Sequence, residues 1–186
     1  MFTTVTELFT YAPVQFFISL TVDLSIMAFG VILAVRLYRS GRFDTEQGVS
    51  CAVLFIWGAL ILFLAVFGRR MNRETQDNCV LELFNCYRQI IAEHDRSMLS
   101  VTVQNILVFV PFGFTLSSIF KHRSRLLIPL GISFSVSLLI EVSQLLLRSG
   151  LFEVDDLFNN TLGALIGIVL YLLFGAVVKA LHKKKA

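Results

Sequence analysis

The chain has 186 residues, 56% of them hydrophobic and 16% charged, against roughly a quarter charged in soluble domains. With a mean hydropathy of +0.77, that composition excludes a soluble enzyme and implies an integral membrane protein with one membrane domain, residues 1–186. A formal charge of +3 with no basic stripe excludes nucleic acid as a partner; a mild excess of this kind reflects loop charge.

Crossing the hydrocarbon takes about 20 apolar residues. Five runs reach that length, at residues 14–37, 49–68, 101–120, 126–147 and 160–178. The expected fold class is an all-α integral membrane protein: a five-helix transmembrane bundle with a short amphipathic helix in the outer loop. Residues 1–13 carry no basic group, so the first span reads as a retained anchor and not a cleaved signal peptide.

An odd number of spans puts the two ends on opposite sides, and basic residues decide which. Arg36, Arg39, Arg42, Lys121, Arg123, Arg125, Lys179, Lys183, Lys184 and Lys185 share one side. Arg69, Arg70, Arg73, Arg88, Arg96 and Arg148 share the other, where five of the six are diluted by acids in one long loop. The richer set faces the cytoplasm on this rule, with the N-terminus outside and the C-terminus inside. In the long loop Val80, Leu83, Phe84, Tyr87, Ile90 and Ile91 recur at helical spacing, opposite Glu82, Asn85 and Gln89. That pattern predicts a helix lying on the membrane surface or capping the bundle. Cys79 and Cys86 share this loop and read as free, packed thiols; no Cys or His spacing resembles a zinc site.

The informative polar residues lie inside the spans. Glu141 sits in the fourth run with Gln144 one turn on, and an acid at such a place costs roughly 3 kcal/mol on insertion scales. Glu141, Gln144 and Arg148 fall at i, i+3 and i+7, one helix face. Gln104 and Asn105 begin the third span, Asn159 and Asn160 the fifth, and Arg69 and Arg70 end the second. All of these reach the outer half, whereas the cytoplasmic ends read as carrying only basic anchors. Asn160, Gly163 and Gly167 share a face, and Gly163–Gly167 is a GxxxG pair that lets helices approach closely. Pro111 predicts a kink in the third span. Glu153, Asp155 and Asp156 precede the fifth. They read first as acids at a helix N-terminus, and second as a divalent cation site with Glu141 and an Asn carbonyl. Asp23, alone in the first span, joins the cluster or is a neutral acid bonded to backbone. No motif calls for a cofactor or a metal.

NILVFVPFGF (Asn105–Phe114) and EVSQLLLRSGLFEVDDLFNNTLGALIG (Glu141–Gly167) resemble the VanZ-like family, known for teicoplanin resistance. Asn105, Pro111, Gly113, Glu141, Gln144, Arg148, Asp156, Asn160 and Gly163 fill the family pattern, and the resemblance covers residues 60–175. GRR at 68–70 is similar to an upstream Arg element. The resemblance implies a small polytopic protein of the bacterial cell membrane linked to tolerance of glycopeptides. Glycopeptides act on cell-wall precursors outside the membrane, the side to which the polar cluster opens.

Three readings compete. In the first, Arg69, Arg70 and Arg148 attract an anionic lipid or lipid-linked cell-wall intermediate, while Asn105, Glu141, Gln144 and Asn160 hydrogen-bond its polar part. In the second, the protein is an intramembrane enzyme acting on such a lipid, with Glu141 as general base and Asp156 as second acid. In the third, the cluster only fastens helices of a scaffold for membrane protein partners. Binding ranks first, catalysis second and scaffolding third.

Overall fold

The computed structural model describes residues 5–65, 79–121, 124–146 and 150–183, and for residues 5–19 the backbone alone. Six helices and two short strands make up the described residues: α1 (Val5–Arg39), α2 (Thr45–Phe63), β1 (Cys79–Val80), α3 (Asn85–Ala92), α4 (Arg96–Ile119), α5 (Leu127–Leu146), β2 (Phe152–Glu153) and α6 (Val154–Lys183). Five of the helices are long and apolar enough to cross a bilayer. The chain is an all-α, multi-pass membrane protein.

Several helices begin about a turn before the apolar run that announces them, because their first turns are polar caps. Asp44 opens α2 with a capping box, its carboxylate accepting from Gln47 N while Gln47 Oε1 accepts from Asp44 N. Asp95 opens α4, where Oδ1 accepts from Ser97 N at 2.8 Å and Met98 N at 3.1 Å. α6 begins at Val154 and not at Asn160, so Asp155 and Asp156 lie within its first turn.

α4 and α6 form the centre, and they touch backbone to backbone. A Cβ at Gly113 would lie 2.1 Å from Ala164 O, one at Gly163 2.0 Å from Ile106 O, and one at Gly167 1.9 Å from Val110 O. The GxxxG pair therefore faces α4, and Gly113 returns the approach from the other side. Phe109, Phe112 and Leu116 of α4, Ile61 of α2, Ile140 of α5 and Ala164 of α6 fill the core around this contact. Trp57 of α2 donates its indole N–H to Val108 O at 2.7 Å, in the turn before Pro111. Proline there removes one intrahelical donor from α4. α1 packs on α2, with Gly30 against Phe55.

The outer-loop helix is shorter than its periodicity suggests. Val80 belongs to β1, which pairs in parallel with β2 and ties the two loops at this end together. Phe84 takes a left-handed conformation (φ 66°) and starts α3 only at Asn85, so Val80, Leu83 and Phe84 are not on a common helical face. Buried Cys86 turns toward the bundle, while Leu81 and Ile91 stay exposed; α3 caps the bundle. Cys79 is exposed, and both loop cysteines are free thiols.

The opposite end corrects the sequence reading that only basic anchors stand there. Glu46 Oε1 accepts from Ser118 Oγ at 3.0 Å and from Tyr171 OH at 2.9 Å, and its Oε2 pairs with Lys121 Nζ at 2.7 Å. Lys121 also meets Asp44 at 2.6 Å, and Gln47 Nε2 donates to Ile119 O at 2.8 Å. Burial alone pulls the Lys121 ammonium down, but its bonds to Asp44 and Glu46 reverse this and hold it above the ordinary lysine range. This knot fastens α2, α4 and α6 at the end remote from α3.

Candidate functional site

The first two turns of α6 carry two Asp–Asn pairs at i, i+4 spacing, Asp155 with Asn159 and Asp156 with Asn160. One residue of offset turns each pair by about 100° on a helix, so they serve adjacent faces. The Asp155 face holds α3. Phe84 N donates to Asp155 Oδ1 at 2.5 Å and Cys86 N to Oδ2 at 2.7 Å. The carboxylate thereby satisfies donors that the start of a helix leaves open, and meets the positive end of its dipole. Tyr87 OH donates to Asn159 Oδ1 at 2.6 Å. Burial pushes the Cys86 thiol up, and the Asp155 carboxylate adds to it; burial likewise raises the Tyr87 phenol.

The Asp156 face turns to a cavity. Asn105 Nδ2 of α4 donates to Asp156 Oδ1 at 2.6 Å, and Asn160 Nδ2 donates to Ser137 Oγ of α5 at 2.9 Å. α5 adds Glu141 and Gln144, each 1% exposed. Glu141 Oε2 accepts from Glu153 N of β2 at 3.1 Å. Gln144 Nε2 lies 3.5 Å from Ala65 O, the long limit of a hydrogen bond. Asn105, Glu141, Gln144, Asp156 and Asn160 all line one cavity of about 310 Å³, at the α3 end of the bundle. Its remaining wall is largely apolar, with Ile61, Phe109 and Ile140 below and Leu64 and Val101 at the rim. Volume and lining suit a small-ligand site, in which a few placed polar groups sit among apolar ones.

Of the eight residues singled out from sequence, these five meet. Arg69, Arg70 and Arg148 lie outside the described residues. The cation reading is overturned, because Asp155 turns to the N-terminus of α3 while Asp156 turns to Asn105. No group of three or more His, Cys, Asp or Glu side chains among the described residues could hold a metal ion. Asp23 is buried on α1, its Oδ2 without a partner among the described residues, and does not line the cavity. Ser137 escaped sequence reasoning although a signal was present. Ser133, Ser137, Glu141 and Gln144 follow i, i+4, i+8, i+11, a polar stripe along one face of an apolar helix, and all four are buried.

The VanZ/LLP1 family model matches residues 50–175. The chain belongs to this family. Protein VanZ of Enterococcus faecium is 30% identical over 144 residues, covering 74% of this chain and 80% of that protein. No solved structure matches the chain.

The VanZ/LLP1 match takes in the five cavity residues and both Asp–Asn pairs, and it leaves out α1. The two thiols of the α3 region give a direct check on this part of the family fold. A maleimide at neutral pH is expected to modify exposed Cys79, and to leave Cys86 untouched until the protein is denatured. Burial shields Cys86 and keeps it protonated. Peptide mass spectrometry of the labelled protein reads both positions; rapid Cys86 labelling would mean that α3 is undocked.

Proposed function

We propose that the cavity takes the headgroup of an anionic membrane lipid or of a lipid-linked cell-wall intermediate, and that the protein acts through it in tolerance of teicoplanin-type glycopeptides. The observation that carries this reading is the gathering of Asn105, Glu141, Gln144, Asp156 and Asn160, from three helices, on one cavity. Amides and carboxyls at fixed positions recognise the hydroxyl and amide groups of such a headgroup. Arg69 and Arg148 each follow a cavity residue, Ala65 and Gln144, by four positions in sequence; with Arg70 they are assigned the anionic group. The basic residues gathered at the Lys121 end support a cytoplasmic C-terminus and a cavity in the outer half of the membrane. That is the side on which glycopeptides act.

Lipid retention by purified protein tests the reading. Glu141→Gln and Asn160→Ala are each expected to weaken it about tenfold, the loss of one hydrogen bond to a charged or buried group. Native mass spectrometry after incorporation into vesicles measures it. Unchanged retention in Glu141→Gln and in Arg148→Ala would sink the proposal.

One observation favours the enzyme as a second reading: two carboxyls, Glu141 and Asp156, line the same cavity. If Glu141→Gln abolishes glycopeptide tolerance while lipid retention stays at the parent level, a proton-transfer role replaces the binding role.

A further inference from the structure

The exposed members of the cavity wall belong to two helices. At the C-terminal cap of α2 it is Leu64, 52% exposed, and on α4 it is Val101, 38% exposed, with exposed Gln104. Deeper in the bundle the same helices are closed on each other, through Trp57 against Val108 O. The mouth therefore lies between Leu64 and Val101, at the α3 end of the bundle. Leu64 continues the row Val49, Val53, Ile56 and Leu60, all exposed and apolar at helical spacing, which is the lipid-facing surface of a transmembrane helix. On α4 the lip residue Val101 is itself exposed and apolar, while the exposed row Leu99, Val103 and Leu107 lies on the opposite face of that helix. A mouth whose lips are Leu64, at the end of a lipid-facing row, and the exposed, apolar Val101 faces sideways into hydrocarbon.

Size narrows the occupant. A volume of about 310 Å³ lies at the small end of ligand pockets. It admits one sugar, or one glycerol phosphate unit. It is too small for the disaccharide and peptide of a complete wall intermediate.

We infer that the space between α2 and α4 is a lateral portal, through which a lipid with a headgroup of about one sugar or glycerol phosphate unit inserts that headgroup while its acyl chains stay in the bilayer. The inference rests on the binding role proposed above and narrows it to a small-headed lipid. Hydroxyl or amine hydrogens of the headgroup are donated to the Glu141 and Asp156 carboxyls, and the chains run down along the α2 row. Asn105 and Asn160, already donating to Asp156 and Ser137, are held as fixed parts of the wall.

Two measurements test portal and binding separately. In a Trp57→Phe background, Leu64→Trp and Val101→Trp each place one indole at the mouth, on side chains exposed enough to accept it. In vesicles of phosphatidylcholine with brominated chains, both indoles are expected to lose most of their emission, and iodide added to the water is expected to change it little. Separately, retention of phosphatidylglycerol is compared between the parent protein and Glu141→Gln, with soluble glycerol phosphate added as competitor. Retention is expected to fall about tenfold in Glu141→Gln and to resist the competitor. Quenching by iodide and not by brominated chains, with glycerol phosphate competing, overturns the portal while leaving a water-facing binding pocket. Quenching by brominated chains with retention equal in parent and Glu141→Gln overturns the binding role itself, and this inference with it.

Discussion

Gly167→Ala is expected to abolish the folded bundle, or to lower its melting temperature more than any conservative change elsewhere. The new methyl group would lie 1.9 Å from Val110 O and 2.8 Å from Phe114 N, both main chain on a neighbouring helix. A flexible side chain could step aside, but a helix backbone moves only as a whole. Overpacking a core ordinarily costs about 1–3 kcal/mol, and this contact belongs at or above the top of that range. The same displacement would pull Asn160 and Asp156 away from α4, so the cavity is lost with the packing. Gly163→Ala and Gly113→Ala act against the same interface from other positions. Gly131→Ala and Gly175→Ala provide the contrast, because a Cβ at either meets nothing within 4 Å. There the better helix propensity of Ala is expected to gain up to about 1 kcal/mol. Thermal unfolding of the detergent-purified variants decides the matter; equal melting for Gly167→Ala and Gly175→Ala would disprove the backbone contact.

Asp155→Ala carries the second large effect. It leaves the N–H groups of Phe84 and Cys86 without their carboxylate. Phe84 is exposed and recovers a water, whereas Cys86 is buried. Hydrogen bonds to a charged group contribute about 1.5–3 kcal/mol each, so a loss of about 2–4 kcal/mol is expected, concentrated on α3. Undocking α3 exposes Cys86, removes the burial and charge that raise its thiol, and speeds its alkylation. Asp155→Asn is expected to fall between, since an amide offers one acceptor oxygen where the carboxylate offers two. Asp156→Asn is expected to leave Cys86 protected, because that side chain bonds to Asn105 on another face. Rapid Cys86 alkylation in Asp156→Asn, or none in Asp155→Ala, would reverse the assignment of the two acids.

Those two acids also mark how far the sequence could be read. Five spans were legible because a run of some twenty apolar residues admits few other outcomes in water or lipid. Glu141, Gln144, Asn105 and Asn160 were legible because burying them in lipid is costly and residues of that kind gather, whereas Asp156, read as lying before the fifth span, was singled out by the family resemblance. Asp155 and Asp156 are chemically identical neighbours, and only the phase of α6 sends one to α3 and the other to the cavity. No composition or spacing reports that phase once the helix start is misjudged. The start of α6 was placed at Asn160 because hydropathy marks where lipid begins, and Val154 starts the helix a turn and a half earlier. The start of α3 was missed for a different reason. Phe84 adopts a left-handed conformation that a bulky residue rarely takes, held there by contacts from α6 that lie 71 positions away. The knot around Glu46 was invisible on similar grounds: Ser118 and Tyr171 are 72 and 125 positions from it.

The helices in closest contact are not neighbours in the chain, since α5 intervenes between α4 and α6. During synthesis α2, α4 and α5 reach the bilayer before the glycines that fit against Ile106 and Val110 have been translated. Until then the carboxyl of Glu141 and the amide of Asn105 have no α6 beside them. The hollow is therefore completed only by α6, so a nascent chain halted before Asn160 carries the cost of its intramembrane acid with no cavity around it.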